Sequence, residues 1–160
     1  MSDSLNNFIA EFYDPKVSSW ENIKDKIFFI EQEAFGDKAF STIELSKDFQ
    51  DKKNTVILLK QPDSGFVVGF TYAEPLDIDT AYICDTVIQK DFRNKGLIKI
   101  LMDCLEEELK NRGYKYIERE VVIGNDYANN IMKHYKDRIV KQSEPHESTW
   151  GSQIRFRIKL

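Results

Sequence analysis

Residues 91 to 101 read DFRNKGLIKIL, with Arg93 and Lys95 beside a lone Gly96 and an apolar run at helical spacing directly after it. The first amide groups of a helix have no carbonyl partners and carry roughly half a positive charge, so an anion fits there. Gly96 permits the positive φ and close backbone approach that a Cβ would block, and the two basic residues add charge. The turn Arg93, Asn94, Lys95, Gly96, Leu97 and Ile98 thus has the chemistry of a phosphate cradle. The same residues also suit ordinary punctuation between a strand and a helix. Neither GxxxxGKS/T nor GxGxxG occurs in the chain, so the two commonest nucleotide loops are excluded.

A second site-like residue is Asp85, which interrupts the apolar run AYICDTVI. A carboxylate inside such a run is costly without a use or a partner. It either serves a site or is a carboxylate on a solvent-facing edge or bonded to a backbone amide. Glu118 and Glu120 share one strand face and are second choices, while Glu106 to Glu108 read as the solvated face of a helix. His134 and His146 are isolated, and Cys84 and Cys104 lie in apolar runs with no metal-ligand spacing. They read as reduced core thiols, so neither a nucleophile nor a metal is expected.

The elements that position these residues follow from periodicity. WENIKDKIFFIEQEAF places Trp20, Ile23, Ile27, Ile30 and Ala34 on one helix face, stopped by Gly36. STIELSKDFQDK opens with Ser41 and Glu44 at capping-box spacing and predicts a short second helix. Thr55 to Lys60 and Phe66 to Ala73 predict a hairpin around a Pro-Asp-Ser-Gly turn. A strand at TAYICDTVI, a helix from about Gly96 to Arg112, a strand at YKYIEREVVI, a helix from roughly Asp126 to Lys136 and a closing strand at SQIRFRIKL complete the chain. Strand, crossover helix and strand place two neighbouring strands in parallel, so a mixed sheet of the α/β (α+β) class is expected. The Gly96 turn then leaves the carboxyl end of a strand, the usual ligand crevice.

A chain of 160 residues suits one domain, 1–160, and 41% hydrophobic content with 11 Phe and 7 Tyr argues against disorder. A net charge of -4 is unfavourable for a nucleic-acid partner. No basic region followed by an apolar stretch opens the chain and no run has the length of a membrane span, so a cytoplasmic protein without a membrane partner is expected.

VIQKDFRNKGLIKILMDCLEEELKNRGYKYI resembles the acyl-CoA pyrophosphate motif of the GNAT superfamily of N-acyltransferases, Q/R-x-x-G-x-G/A after the fourth strand. Arg93 and Gly96 match it, and Ile98 stands where Gly or Ala is preferred. GNDYANNIMKHYKDRIV is similar to the second signature, with Asn125 and Ala128 on pattern. Upstream, IEQEAFGD is similar to the first helix and VVGFTYAEP to the third strand. The resemblance implies a mostly antiparallel sheet flanked by helices, with a central parallel pair splayed at the cofactor site. It implies acetyl transfer from acetyl-CoA to a primary amine, on a small molecule or a protein, by direct attack in a ternary complex without a metal. Backbone groups of Val87 and Ile88 would bond the pantetheine arm, the Arg93 to Ile98 turn the pyrophosphate, and Asn125 and Asn129 the other side of the arm. Asn125 also suits a helix N-cap.

Met132 occupies the slot where many members keep a tyrosine that protonates the departing thiolate. Tyr135, one turn on, is the candidate replacement, although Ala128, Ile131, Met132 and Tyr135 form a core stripe; Tyr127 is a weaker one. Asp85 would deprotonate the amine. The acceptor pocket would lie between Phe35 to Thr42 and SEPHESTWGS, with Phe35, Phe40 and Trp150 as an apolar wall or as core aromatics. The resemblance leaves open a homodimer, and a non-catalytic acyl-CoA-binding or protein-interaction module on the same fold.

Overall fold

The computed structural model describes residues 7–124 and 126–160, without the side chains of 126 and 127. In chain order the elements are β1 (Ile9–Phe12), α1 (Trp20–Phe35), α2 (Thr42–Gln50), β2 (Thr55–Lys60), β3 (Val67–Pro75), β4 (Thr80–Ile88), α3 (Leu97–Asn111), β5 (Tyr116–Val122), α4 (Asp126–Tyr135), β6 (Ile139–Gln142), β7 (His146–Ser148) and β8 (Gly151–Lys159). The strands form one eight-stranded sheet in the order β1-β2-β3-β4-β5-β8-β6, with β7 beside β8. β4 and β5 are parallel, and the other pairings are antiparallel. The mixed, mostly antiparallel sheet is therefore the observed architecture.

Local chemistry sets the helix boundaries. Ser19 Oγ accepts the Glu21 amide at the start of α1, and Gly36 ends that helix at φ 57°. At α2 the Ser41 and Glu44 capping box is complete. α3 turns Leu97, Leu101, Met102, Leu105 and Leu109 inward. The short strands β1, β6 and β7, of 4, 4 and 3 residues, carry too little alternation to stand out in the sequence. No described helix is long and apolar enough to cross a membrane.

The sheet separates two apolar cores. α1 and α2 cover one face with Trp20, Ile27, Ile30, Leu45 and Phe49, which pack on Val56, Phe70, Tyr72 and Val87. α3 and α4 cover the other, where Leu101, Met102, Leu105, Ile131 and Tyr135 pack on Ile57, Ile83, Ile88 and Ile117. Strand alternation assigns successive residues to opposite cores.

Gly69 is where the sheet is tightest. It faces Ile88 across β3 and β4, and a Cβ there would lie 2.8 Å from the Val87 carbonyl oxygen and 3.3 Å from the Ile88 side chain. Backbone cannot give way as a flexible side chain would. Gly69→Ala should destabilise the protein by about 1–3 kcal/mol, read as a lower urea midpoint at unchanged m-value.

Candidate active site

β4 and β5 pair only at Thr80 with Tyr116, Ala81 with Ile117 and Tyr82 with Glu118. Both strands run on, to Ile88 and Val122, without further pairing between them. A β-bulge explains the parting. Tyr72 faces Asp85 and Ala73 faces Ile83, so Cys84 is the extra residue on β4, and a bulge bends and twists the strand that carries it. The bulge also resets the alternation. Ile83 belongs to the α3–α4 core, whereas Cys84 and Val87 pack in the α1–α2 core. Asp85 consequently points with Val87 toward α1, and Thr86 points with Ile88 toward α3.

A cavity of about 630 Å³ passes through this gap, lined by Glu31 and Phe35 of α1, Cys84, Asp85 and Thr86 of β4, Arg119 and Glu120 of β5, and Ala128 and Ile131 of α4. Residues from helices on both faces of the sheet line it, so it joins one side to the other. Asp85 and Glu31 meet at its buried centre, 7% and 1% exposed. Burial raises the Asp85 pKa well above the usual carboxylate range, and the Glu31 carboxylate adds to the shift through a hydrogen bond and its charge; the Thr86 amide and Arg119 oppose it. Glu31 Oε2 accepts the Phe40 amide at 2.9 Å. With both groups ionised, Glu31 Oε1 and Asp85 Oδ2 would be left without a donor; one proton held between them satisfies both. Glu31 is the member of this pair that the sequence does not reveal, because it reads as one more acid in a charged helix.

The Gly96 turn follows the carboxyl end of β4, beyond the gap. Asn94 and Gly96 have φ of 63° and 76°. Gly96 is the N-cap of α3, and no side chain caps this helix, whose first turn carries no acid. The leading amides of α3 are therefore not bonded by a capping side chain. Arg93 folds back so that Nε donates to the Ile88 carbonyl at 2.7 Å, bracing the turn on the strand end. A second cavity, of about 840 Å³, is lined by Ile88, Arg93, Asn94, Gly96, Leu97 and Ile98 together with Asn130, Lys133 and His134 of α4. Lys95 instead lies 5.6 Å above the Phe92 ring.

The remaining expected residues fall as follows. The Gln89 amide bonds the Val68 carbonyl, so alternation turns the Val87 amide toward β3 and the Ile88 amide toward the gap. Asn129 is exposed on α4, and its neighbour Asn130 lines the second cavity. Asn125 lies outside the described residues, as does the Tyr127 side chain. Tyr135 is fully buried, lines neither cavity, and is pushed up to about 12 by burial. Burial raises the Cys84 thiol too, so it stays protonated at neutral pH. Phe35, Phe40 and Trp150 line the sheet-crossing cavity, with the Phe40 and Trp150 rings edge to face at 6.3 Å. Glu118 is bonded by Arg155 and Arg157.

Two expectations are corrected. Glu106 is 6% exposed rather than solvated, and it bonds His134 and Arg138. A one-residue rotation of the helix frame separates it from the outward Glu107 and Glu108, which periodicity alone does not resolve. His134 and His146 are likewise not isolated, since His146 pairs with Glu120. Asp103, Glu106 and His134 bring three ligand-type atoms within 4.8 Å of one another, with Glu106 also hydrogen-bonded to His134 and Arg138.

A family model described as Acetyltransferase (GNAT) family matches residues 17–135. No curated protein sequence matches the chain. Among solved structures, the ribosomal-protein-S18-alanine N-acetyltransferase from Escherichia coli is similar with a TM-score of 0.71 at 18% identity, over 96% of this chain and 92% of that one. A GNAT family acetyltransferase from Elizabethkingia anophelis, with acetyl-CoA bound, gives 0.65 at 15% over 97% and 99%. The aminoglycoside 6'-N-acetyltransferase from Enterococcus faecium gives 0.71 at 15% over 94% and 96%. At these identities the likeness establishes the fold.

A Cβ on Gly96 would meet nothing within 4 Å, so a side chain there is opposed by the positive φ and by whatever occupies the turn. Gly96→Glu places a carboxylate among amides suited to an anion. If acetyl-CoA raises the melting temperature of the unaltered protein at millimolar concentration, this substitution should abolish the rise, measured by thermal shift with and without ligand.

Proposed function

The chain belongs to the GNAT family of acetyltransferases, and on that premise we propose that it moves the acetyl group of acetyl-CoA to a primary amine by direct attack in a ternary complex. One observation carries the reading: the gap between β4 and β5 has a carboxyl pair on one face and, at the end of β4, an uncapped helix start. Acetyl-CoA supplies a thioester carbonyl as the electrophile. The residues present fit it. The leading amides of α3, with Arg93 and Asn94 beside them, would hold the pyrophosphate, and the Ile88 amide would bond the arm from the side that β5 has left.

The amine would enter from the α1–α2 side, past Phe35, Phe40 and Trp150. Among the described residues, six carboxyl groups, those of Glu31, Glu44, Asp48, Glu74, Asp85 and Glu120, line that cavity against the cation Arg119, so even with one proton shared by Asp85 and Glu31 a cationic acceptor is favoured over an anionic one. An arriving ammonium stabilises the ionised form of the Asp85–Glu31 pair, which then takes the proton that must leave before the nitrogen can attack. Cys84, held protonated by burial, serves no covalent step in this scheme.

Thiol release across a panel of amines tests the proposal. Turnover with cationic primary amines, at a KM that rises with ionic strength, is the expected result. Acetyl-CoA binding without turnover of any amine would identify a binding module instead, and the absence of binding would overturn both readings.

Asp85→Asn should separate activity from stability. Its amide donates permanently to Glu31 but cannot accept the amine proton, so kcat should fall by roughly 10²–10⁴. Because the folded pKa of Asp85 is raised, the wild-type contribution is fully present below the unfolded carboxylate pKa and is lost as pH rises through the folded value. The variant should therefore gain melting temperature relative to wild type as pH is raised from 4 to 8, checked by parallel thermal melts.

A further inference from the structure

Arg119 is 5% exposed; among the described residues it is the only cationic side chain on the sheet-crossing cavity, and no carboxylate bonds it. Its hydrogen bonds go to neutral atoms: Nη2 to Thr86 Oγ1 at 3.1 Å, and Nη1 to Tyr135 Oη at 3.4 Å and to the Met102 sulfur at 3.7 Å. Among the described residues the buried Nε–H has no acceptor. A guanidinium taken out of water without an anion is costly, and the chain bears that cost at one particular place. Glu118 is the last residue of β5 paired to β4, and Arg119 is the next. The bond to Thr86 carries the guanidinium across the opening, and Thr86 is itself fixed through Thr71 Oγ1 at 2.9 Å, which reaches the Asp85 carbonyl at 2.8 Å.

We infer that Arg119 is a catalytic residue that carries the negative charge of the departing thiolate, the task that Met132 cannot perform. The inference rests on the acetyl transfer proposed above. The ammonium gives its first proton to the Asp85–Glu31 pair before attack; as the nitrogen then bonds the carbonyl carbon and the carbon–sulfur bond breaks, the electron pair leaves on sulfur and the second nitrogen proton passes to water in the cavity. The Nε–H donates a hydrogen bond to that sulfur and keeps its proton, since a guanidinium does not titrate in the working range. The thiolate takes its proton from solvent on release. A fixed cation in a dry site needs no reorganisation when charge develops. Thr86 and Tyr135 are then positioning residues, and the buried phenol acts by holding the guanidinium rather than by giving up a proton.

Free CoA supplies a readout independent of turnover. Thiolate absorbance of bound CoA, titrated against pH, should place its thiol about 1–3 units below the free thiol in wild type. Arg119→Met should lose that shift and Arg119→Lys should keep part of it. In Arg119→Met the acetyl-CoA affinity should change by no more than about threefold while kcat drops roughly 10²–10³. Wild-type kcat should show no falling limb up to about pH 10, because no titrating acid serves the leaving group. CoA bound with an unshifted thiol, a falling basic limb, or a folded Arg119→Met retaining its kcat would each overturn the assignment. If Arg119→Met does not fold, the wild-type titration and pH profile decide alone. Failure to bind CoA at all would instead remove the acetyl-transfer reading on which the inference stands.

Discussion

The extra residue at Cys84 is the constraint on which the rest of the site depends. It bends β4 away from β5 after three paired positions, and it shifts the alternation so that Asp85 faces α1 instead of α3. Opening a sheet at its centre exposes backbone that water cannot easily reach, which is ordinarily unfavourable. The opening is tolerated because both neighbours are anchored elsewhere. β4 stays paired with β3 over its length, and β5 stays paired with β8 from Tyr116 to Val122. Two separate cores, one on each face, then keep the layers together without needing contact through the gap.

The charge arrangement follows from this geometry. The gap admits residues from both faces, so a carboxyl pair approached from the α1 side and a guanidinium approached from the α3 side can address the same space. In a continuous sheet the backbone would intervene between them. Neither group is ideal for stability: a raised carboxyl and an unpaired cation are both unfavourable in a dry interior. Such departures from the packing optimum cluster where a protein has chemistry to perform.

Much of the scaffold was legible in the residues. α1 and α2 could be placed by their caps, the hairpin by its turn, and the parallel pair by the crossover through α3, because each of these signals is local. The Gly96 turn was legible for the same reason, its basic residues and glycine being contiguous. What escaped were relations between distant residues. Glu31 and Asp85 are 54 positions apart, and only the bulge brings them together. Arg119 reads as one charge in an alternating strand, and its burial depends on Met102 and Tyr135 arriving from two helices. Glu106 shows the same limit, since its partners His134 and Arg138 lie in and just after α4.

The parting of β4 and β5 also bears on how the protein would exchange its backbone protons with solvent. Strands at the middle of a sheet normally open only with global unfolding. Beyond Tyr82 the amides of β4 that turn toward the gap have no partner on β5, so their protection is set by what occupies the opening and not by the stability of the fold. Deuterium uptake at Ile88 would then follow the coming and going of a ligand, while its neighbour Val87, turned toward β3, would continue to report the stability of the whole molecule.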